Sequence, residues 1–168
     1  MIFEFLFEMT IGAHVHYLTR VPSPKVIMAA FADVHPDAIV AVPLIMEKVH
    51  KLQLKPVIEK NKFYLNLPIL SQAVQKRIRN ELIEAFGGRF EEVILGGAPC
   101  NPEVEDFLHR IHFPFTIGYG MTECGPFIAV NTELYDKPDG AMKVLRNNEV
   151  RIDDPDKNGI GEILVQGP

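Results

Sequence analysis

Apolar positions recur along this chain with two different periods, and the changes from one period to the other outline its architecture. "SPKVIMAAFADV" spaces Val26, Ile27, Ala30, Phe31 and Val34 three and four residues apart, behind Ser23 as N-cap and Pro24 at the first helical position. That pattern predicts a helix. "AIVAV" is a short buried-strand run ended by Pro43, and "LIMEKVHKL" returns to helical spacing. Ser71 to Phe86 is the best helical segment, with Val74, Ile78, Leu82 and Phe86 on one face and Gly87 just past its end. "EVILGG" reads as a strand, "NPEVEDFLHRI" as a capped helix and "FTIGYG" as a further strand, while "AHVHYL" near the start has strand character.

This alternation predicts an α/β fold with a mostly parallel sheet flanked by helices. Beyond Pro126 the texture changes. "FIAV", "NEVRID" and "GEILVQG" are short strands separated by turn signals at "KPDG" and "DDPDKNG", which predicts a short antiparallel β appendage at the C-terminal end. The stretch from Pro56 to Pro68 has no clear period, and its Lys60 and Lys62 read as a solvated loop with no assigned function. The chain shows no internal repeats or low-complexity tracts.

Composition narrows the class. The chain has 168 residues, 47% of them hydrophobic, enough to bury a sizeable core. A formal net charge of -5 argues against an electrostatic nucleic-acid binder, so an anionic ligand has to be held locally by backbone amides or a metal. Cys100 and Cys124 are too few for a disulfide scaffold or a four-cysteine zinc site and read as reduced thiols of a cytoplasmic protein. "MIFEFLFEMTIGAHVHYL" is apolar, but Glu4 and Glu8 interrupt it, no basic stretch precedes it, and no run reaches the roughly 18 to 20 apolar residues of a spanning helix. Such an apolar start, and an end just after the strand-like "GEILVQGP", lead us to expect a chain truncated at both ends.

The candidate chemistry sits in two glycine-bearing loops. In "IGYGMTECGP", Gly118 and Gly120 let the backbone approach a ligand closely and Tyr119 offers a flat π-face. Thr122 supplies a hydroxyl and Glu123 an oxygen ligand suited to a hard cation such as Mg²⁺. A flat base at one end and a metal-bound phosphate at the other would suit this loop. The second motif, "GGAP" from Gly96 to Pro99, follows the strand "EVIL" and precedes a helix opening at Asn101. The carboxyl edge of a parallel sheet is where ligands bind in open α/β folds, although Gly-Gly-Ala-Pro alone fits a tight strand-to-helix turn equally well. Adjacent parallel strands would carry both loops to one edge.

Other polar residues have plainer readings. His14 and His16 share one face of the expected strand but lack a third metal ligand in view. His109 and His112 read as capping or surface residues, and Met28, Met46 and Met121 as packing, with bordering an acyl chain the alternative for Met121. Glu91 and Glu92 are adjacent, so in a strand they point to opposite faces and make no carboxylate pair.

"LGGAP", "EVEDFL", "FPFTIGYGMTECGP" and "GEILVQGP", in this order and at these spacings, resemble the AMP-forming acyl-CoA synthetases, most closely the bacterial long-chain fatty acid CoA ligases. The flanking "TRVPSPKVIMAAFADVHPDAIVAVPLIMEKV" and "IRNELIEAFGG" extend the similarity over nearly the whole chain. The resemblance implies that Tyr119 stacks on adenine, with Gly96, Gly97, Ala98, Pro99 and Gly118 forming the rest of the base and ribose slot. It implies that Thr122 hydrogen-bonds the α-phosphate, that Glu123 ligates Mg²⁺, and that a fatty acid carboxylate approaches near Gly120 and Met121. The carboxylate would attack the α-phosphorus to give acyl-AMP and pyrophosphate, and the CoA thiol would then displace AMP. Such chemistry asks for alignment and charge neutralisation more than for a protein nucleophile.

The chain also departs from the pattern of that family. Ile117 stands where many relatives carry a polar residue, so recognition of the adenine amino group would fall to backbone. A Ser/Thr/Gly-rich phosphate loop, a Thr-Gly-Asp motif and the adenylation lysine are not in these 168 residues. The chain is therefore expected to be the central slice of a larger ligase, with residues 1–130 the α/β portion of its AMP-binding domain and 131–168 part of a neighbouring β subdomain. As such it would be inactive alone, and self-associating through uncovered edges. ATP, Mg²⁺, CoA and a fatty acid would be the parent's partners, with no transmembrane segment but peripheral membrane contact. The alternative is a non-catalytic nucleotide or acyl-ligand binding module of the same fold.

Overall fold

The computed structural model describes residues 6, 8–21, 23–51, 68–132 and 142–167. After a single helical turn, Glu8–Thr10, the elements run α1 Pro24–Val34, β1 Ala38–Ala41, α2 Pro43–Val49, α3 Pro68–Ala85, β2 Glu92–Leu95, α4 Pro102–Arg110 and β3 Phe115–Tyr119. Then follow a 3-10 turn Thr122–Cys124, β4 Ala129–Thr132, β5 Lys143–Val144, β6 Glu149–Asp153 and β7 Glu162–Gln166. The segment around Lys60 and Lys62 and the "KPDG" turn lie outside the described residues.

Helix boundaries follow the local chemistry of their end residues. Ser23 caps α1 through a bond from the Val26 amide to its hydroxyl oxygen, and Asn101 caps α4 by accepting from the Glu103 amide over 2.9 Å. Each satisfies an amide that the first turn leaves without a partner. The end of α3 is a Schellman motif: Gly88 N–H reaches the Ile83 carbonyl and Gly87 N–H the Glu84 carbonyl, both over 3.0 Å. Gly87 has φ +105, and a β-carbon there would stand 2.7 Å from the Phe31 carbonyl oxygen, so this helix end meets the end of α1 backbone to backbone. His35, itself left-handed at φ 50, donates from Nδ1 to the Gly87 carbonyl over 2.6 Å.

Five strands form one sheet in the order β1-β2-β3-β4-β5. β1, β2 and β3 are parallel, with Val40 opposite Ile94 and Leu95 opposite Ile117. β4 and β5 join antiparallel, and β6 pairs with β7 as a separate antiparallel hairpin. The fold is therefore α/β with a mostly parallel sheet, as the alternating pattern predicts. The antiparallel segment, however, begins inside the main sheet, and β4 runs across positions 130 and 131.

The core lies on one face of the sheet. Val93, Leu95, Phe115 and Ile117 alternate onto it and meet Ile78, Leu82 and Phe86 of α3, Val104 and Leu108 of α4, and Met46 and Val49 of α2. Phe86, Phe90 and Phe113 close its lower end, the last two stacked at 18° with centroids 5.4 Å apart. "AHVHYL" departs from its expected strand: residues 13–18 form no regular element, and Tyr17 is 62% exposed. A strand needs a partner for its amides, and no strand among the described residues pairs with this one.

Candidate functional site

The two glycine-bearing loops leave the carboxyl ends of β2 and β3, which are neighbours in register, so both emerge on one edge of the sheet. A β-carbon on Gly96 would stand 3.6 Å from the Gly118 carbonyl. The first loop is tethered by Gly96 N–H to the Ala41 carbonyl, 3.2 Å, which brings the end of β1 to the same edge. Gly97 then turns at φ +81, leaving Gly97, Ala98 and Pro99 exposed.

The second loop is more ordered by its own bonds. Ile128 N–H returns to the Tyr119 carbonyl over 2.9 Å, so Gly120 to Phe127 form a closed excursion between β3 and β4. Within it Thr122–Cys124 make one 3-10 turn, with Cys124 N–H on the Met121 carbonyl at 3.0 Å and Gly125 in the left-handed region at φ 76. Tyr119, Gly120, Met121, Thr122 and Glu123 are all exposed. Strand alternation puts Tyr119 on the side of Ile117, while Gly118 faces the opposite side, where Phe127 packs across it. A residue at Gly120 would meet the Pro126 carbonyl and stand 3.0 Å from the Phe127 Cα.

Glu123 opens onto a cleft of about 670 Å³ walled by Phe127, the turn Leu145–Asn148 and Val165 at the end of β7. Asn148 shapes that wall, since its Nδ2 donates to the carbonyls of Phe127 and Ile128 over 3.0 and 3.3 Å. As a metal ligand Glu123 is a lone exposed carboxylate, and no group of three or more His, Cys, Asp or Glu among the described residues is placed to hold an ion. One carboxylate is what Mg²⁺ asks of a protein when phosphate oxygens and water complete its shell, so the donor set fits a cation delivered with a nucleotide. The His14 and His16 rings lie tilted at 40° with centroids 4.3 Å apart but gain no third ligand among the described residues.

Sequence reasoning missed the support behind the loops. Burial pushes the Cys100 thiol up to about 11, with the carboxylates of Glu105 and Glu47 adding to the shift. Asn131 is buried at 3% exposure and donates to Glu105, which also faces His109. His109 in turn lies edge-on to Phe115, with 4.7 Å between centroids. An asparagine closing the apolar run "FIAVN" was the one available signal for this inner set.

A mostly parallel sheet carrying two glycine loops on its carboxyl edge is the arrangement in which open α/β proteins hold ligands. The chain belongs to the AMP-binding enzyme family, whose pattern it matches over residues 1–168. Among curated relatives, 4-coumarate:CoA ligase 1 of Petunia hybrida is 34% identical over 139 residues, 74% of this chain and 25% of that protein. A 2-succinylbenzoate–CoA ligase of Staphylococcus aureus is 26% identical over 125 residues, 73% of this chain. Among solved structures, a benzoate CoA ligase from Burkholderia xenovorans LB400 superposes with a TM-score of 0.64 at 16% identity, covering 98% of this chain and 29% of that one. O-succinylbenzoate coenzyme A synthetase from Bacillus subtilis, in complex with ATP and magnesium ion, gives 0.60 at 21% identity, covering 96% and 29%. The chain thus spans about a quarter of the length of the curated relatives it matches.

Proposed function

We propose that the protein carrying this chain activates a carboxylic acid with ATP, forming acyl-AMP and releasing pyrophosphate, and then transfers the acyl group to the thiol of CoA with release of AMP. The observation that carries this reading is the pair of glycine loops on one edge of neighbouring parallel strands, in a chain that matches the family from end to end. Tyr119 presents its ring for the adenine base, with the half-buried Gly96 and Gly118 and the exposed Gly97, Ala98 and Pro99 offering backbone for the rest of the slot. Thr122 offers its hydroxyl to the α-phosphate, and Gly120 and Met121 border the approach of the carboxylate. Glu123 would hold Mg²⁺, which when bound neutralises phosphate charge. Aligning a carboxylate oxygen with phosphorus converts a bimolecular attack into a positioned one, and this is the main service such a loop can render. Residues 1–130 and 131–168 are proposed as parts of adjoining α/β and β subdomains, and a cytoplasmic setting is proposed from the reduced thiols.

The acid is proposed as a long-chain fatty acid on the sequence resemblance alone. Several relatives are named for coumarate, succinylbenzoate and benzoate, so the assay has to set palmitate against these acids. Acid-dependent release of pyrophosphate by the intact protein, lost in Glu123→Ala, is the expected result. Release with an aromatic acid and none with palmitate would remove the fatty acid, and tight binding of ATP without release for any acid would remove the ligase.

A further inference from the structure

Asn131 is the one buried polar side chain among the described residues, and its position gives it leverage over both loops. It stands in β4 opposite Ile117, and its Nδ2 donates to Glu105 Oε1 over 3.1 Å. Glu105 belongs to the first turn of α4 and is itself held by its N–H on the Asn101 carbonyl at 3.0 Å. A buried amide facing a half-buried carboxylate is a charge-assisted bond, stronger than a neutral one and costly to leave half made.

The topology explains what that bond joins. The loop Gly96–Cys100 is anchored by β2 before it and α4 after it, whereas the second loop is anchored by β3 before it and β4 after it. Pairing of β2 with β3 fixes the two leading anchors, with Leu95 opposite Ile117. The trailing anchors are an helix and a strand, which no sheet ladder can join. Asn131 and Glu105, 26 residues apart, make the connection.

We propose that Asn131 is a positioning residue: through Glu105 it locks α4 to β4 and so sets the separation of the two loops of the candidate site. The consequence for turnover rests on the functional reading above, but the mechanical claim stands on geometry alone and is tested separately. Hydrogen exchange reads it directly, because the amides of Gly96, Cys124 and Ile128 are bonded in the loops and at their junctions. In Asn131→Leu these amides are expected to exchange about tenfold faster while the β6-β7 hairpin amides stay unchanged. Glu105→Gln, whose amide oxygen still accepts, keeps the loop amides as in the unaltered protein. In the acid-dependent assay on the intact protein, Asn131→Leu raises KM for ATP about tenfold with little change in kcat, and Glu105→Gln leaves KM in place. If Asn131→Leu does not fold, Glu105→Ala, altered on the less buried side, reads the same amides. A lower melting temperature with loop amides unmoved, acceleration spread evenly over sheet and hairpin, or Glu105→Gln as damaging as Asn131→Leu would overturn the proposal. Absence of pyrophosphate release by the unaltered protein removes the functional reading and leaves exchange to decide the lock.

Discussion

The ring of Phe127 lies where a side chain at Gly118 would have to stand, so the second loop folds back over the end of the strand that launches it. Its Cε1 also comes within 3.9 Å of a β-carbon built on Gly96, placing one aromatic edge against both glycines of the sheet edge. Gly118 is thus required by the chain's own packing. Gly118→Ala forces the ring away and is expected to cost about 1–3 kcal/mol, the range for overpacking. Removing the ring as well, in Gly118→Ala with Phe127→Ala, should cost less than the two single changes summed. Urea unfolding of the four species measures the coupling, and strict additivity would mean that the ring and the glycine do not meet.

Cys100 offers a pH test. Burial, then Glu105 and Glu47, raise its pKa from 9.0 to about 11, which means the folded chain holds the thiol proton more tightly than the unfolded chain does. The stabilisation is therefore complete below pH 9 and is lost as pH rises from 9 to about 11. We expect alkylation of Cys100 by iodoacetamide, followed residue by residue by mass spectrometry in Cys124→Ser, to be slow at pH 8 and to climb toward pH 11. Fast labelling at pH 8 in the folded protein would contradict the burial and the carboxylate field together.

Alone, the 168-residue chain is expected to bind Mg-ATP at millimolar Kd or weaker and to release no pyrophosphate with palmitate. With adenine on its ring, as proposed, Tyr119 would contribute about 1–3 kcal/mol, by analogy with aromatic stacking on bases. The phosphate loop, ribose carboxylate and lysine that the family resemblance implies, and that this sequence lacks, would contribute about 1.5–3 kcal/mol each. Their absence would remove on the order of 4 to 9 kcal/mol, more than stacking would return. Calorimetry showing micromolar binding, or release above a Glu123→Ala control, would show that the site draws on other groups.

The sheet also presents apolar surface at β1, its edge strand among the described residues, where Val40, Val42 and Leu44 are 42%, 48% and 52% exposed. Edges of this kind pair with other chains unless they are covered or charged. Light scattering of the chain at rising concentration should show growing mass, and Val40→Lys should suppress it. A particle that stays monomeric at every concentration would count against the edge as a sticky surface.

Much of the architecture was legible because helix ends and buried faces are written locally. Ser23, Asn101 and Gly87 mark caps through bonds reaching no more than five residues, and Val74, Ile78, Leu82 and Phe86 declare one face by spacing alone. The glycine loops were legible for the same reason, since Gly96-Gly97 and Gly118-Tyr119-Gly120 each follow a recognisable strand. Pairing across the chain was decided only in three dimensions. "AHVHYL" has the composition of a strand, yet no described strand pairs with it, whereas β4 and the two-residue β5 extend the main sheet because β3 offers them a free edge. Phe127 over Gly118, Asn148 on the Phe127 carbonyl and Asn131 on Glu105 depend on contacts between residues that are 9, 21 and 26 positions apart. Periodicity records which side of its own element a residue faces. What it meets there depends on where the other elements come to rest.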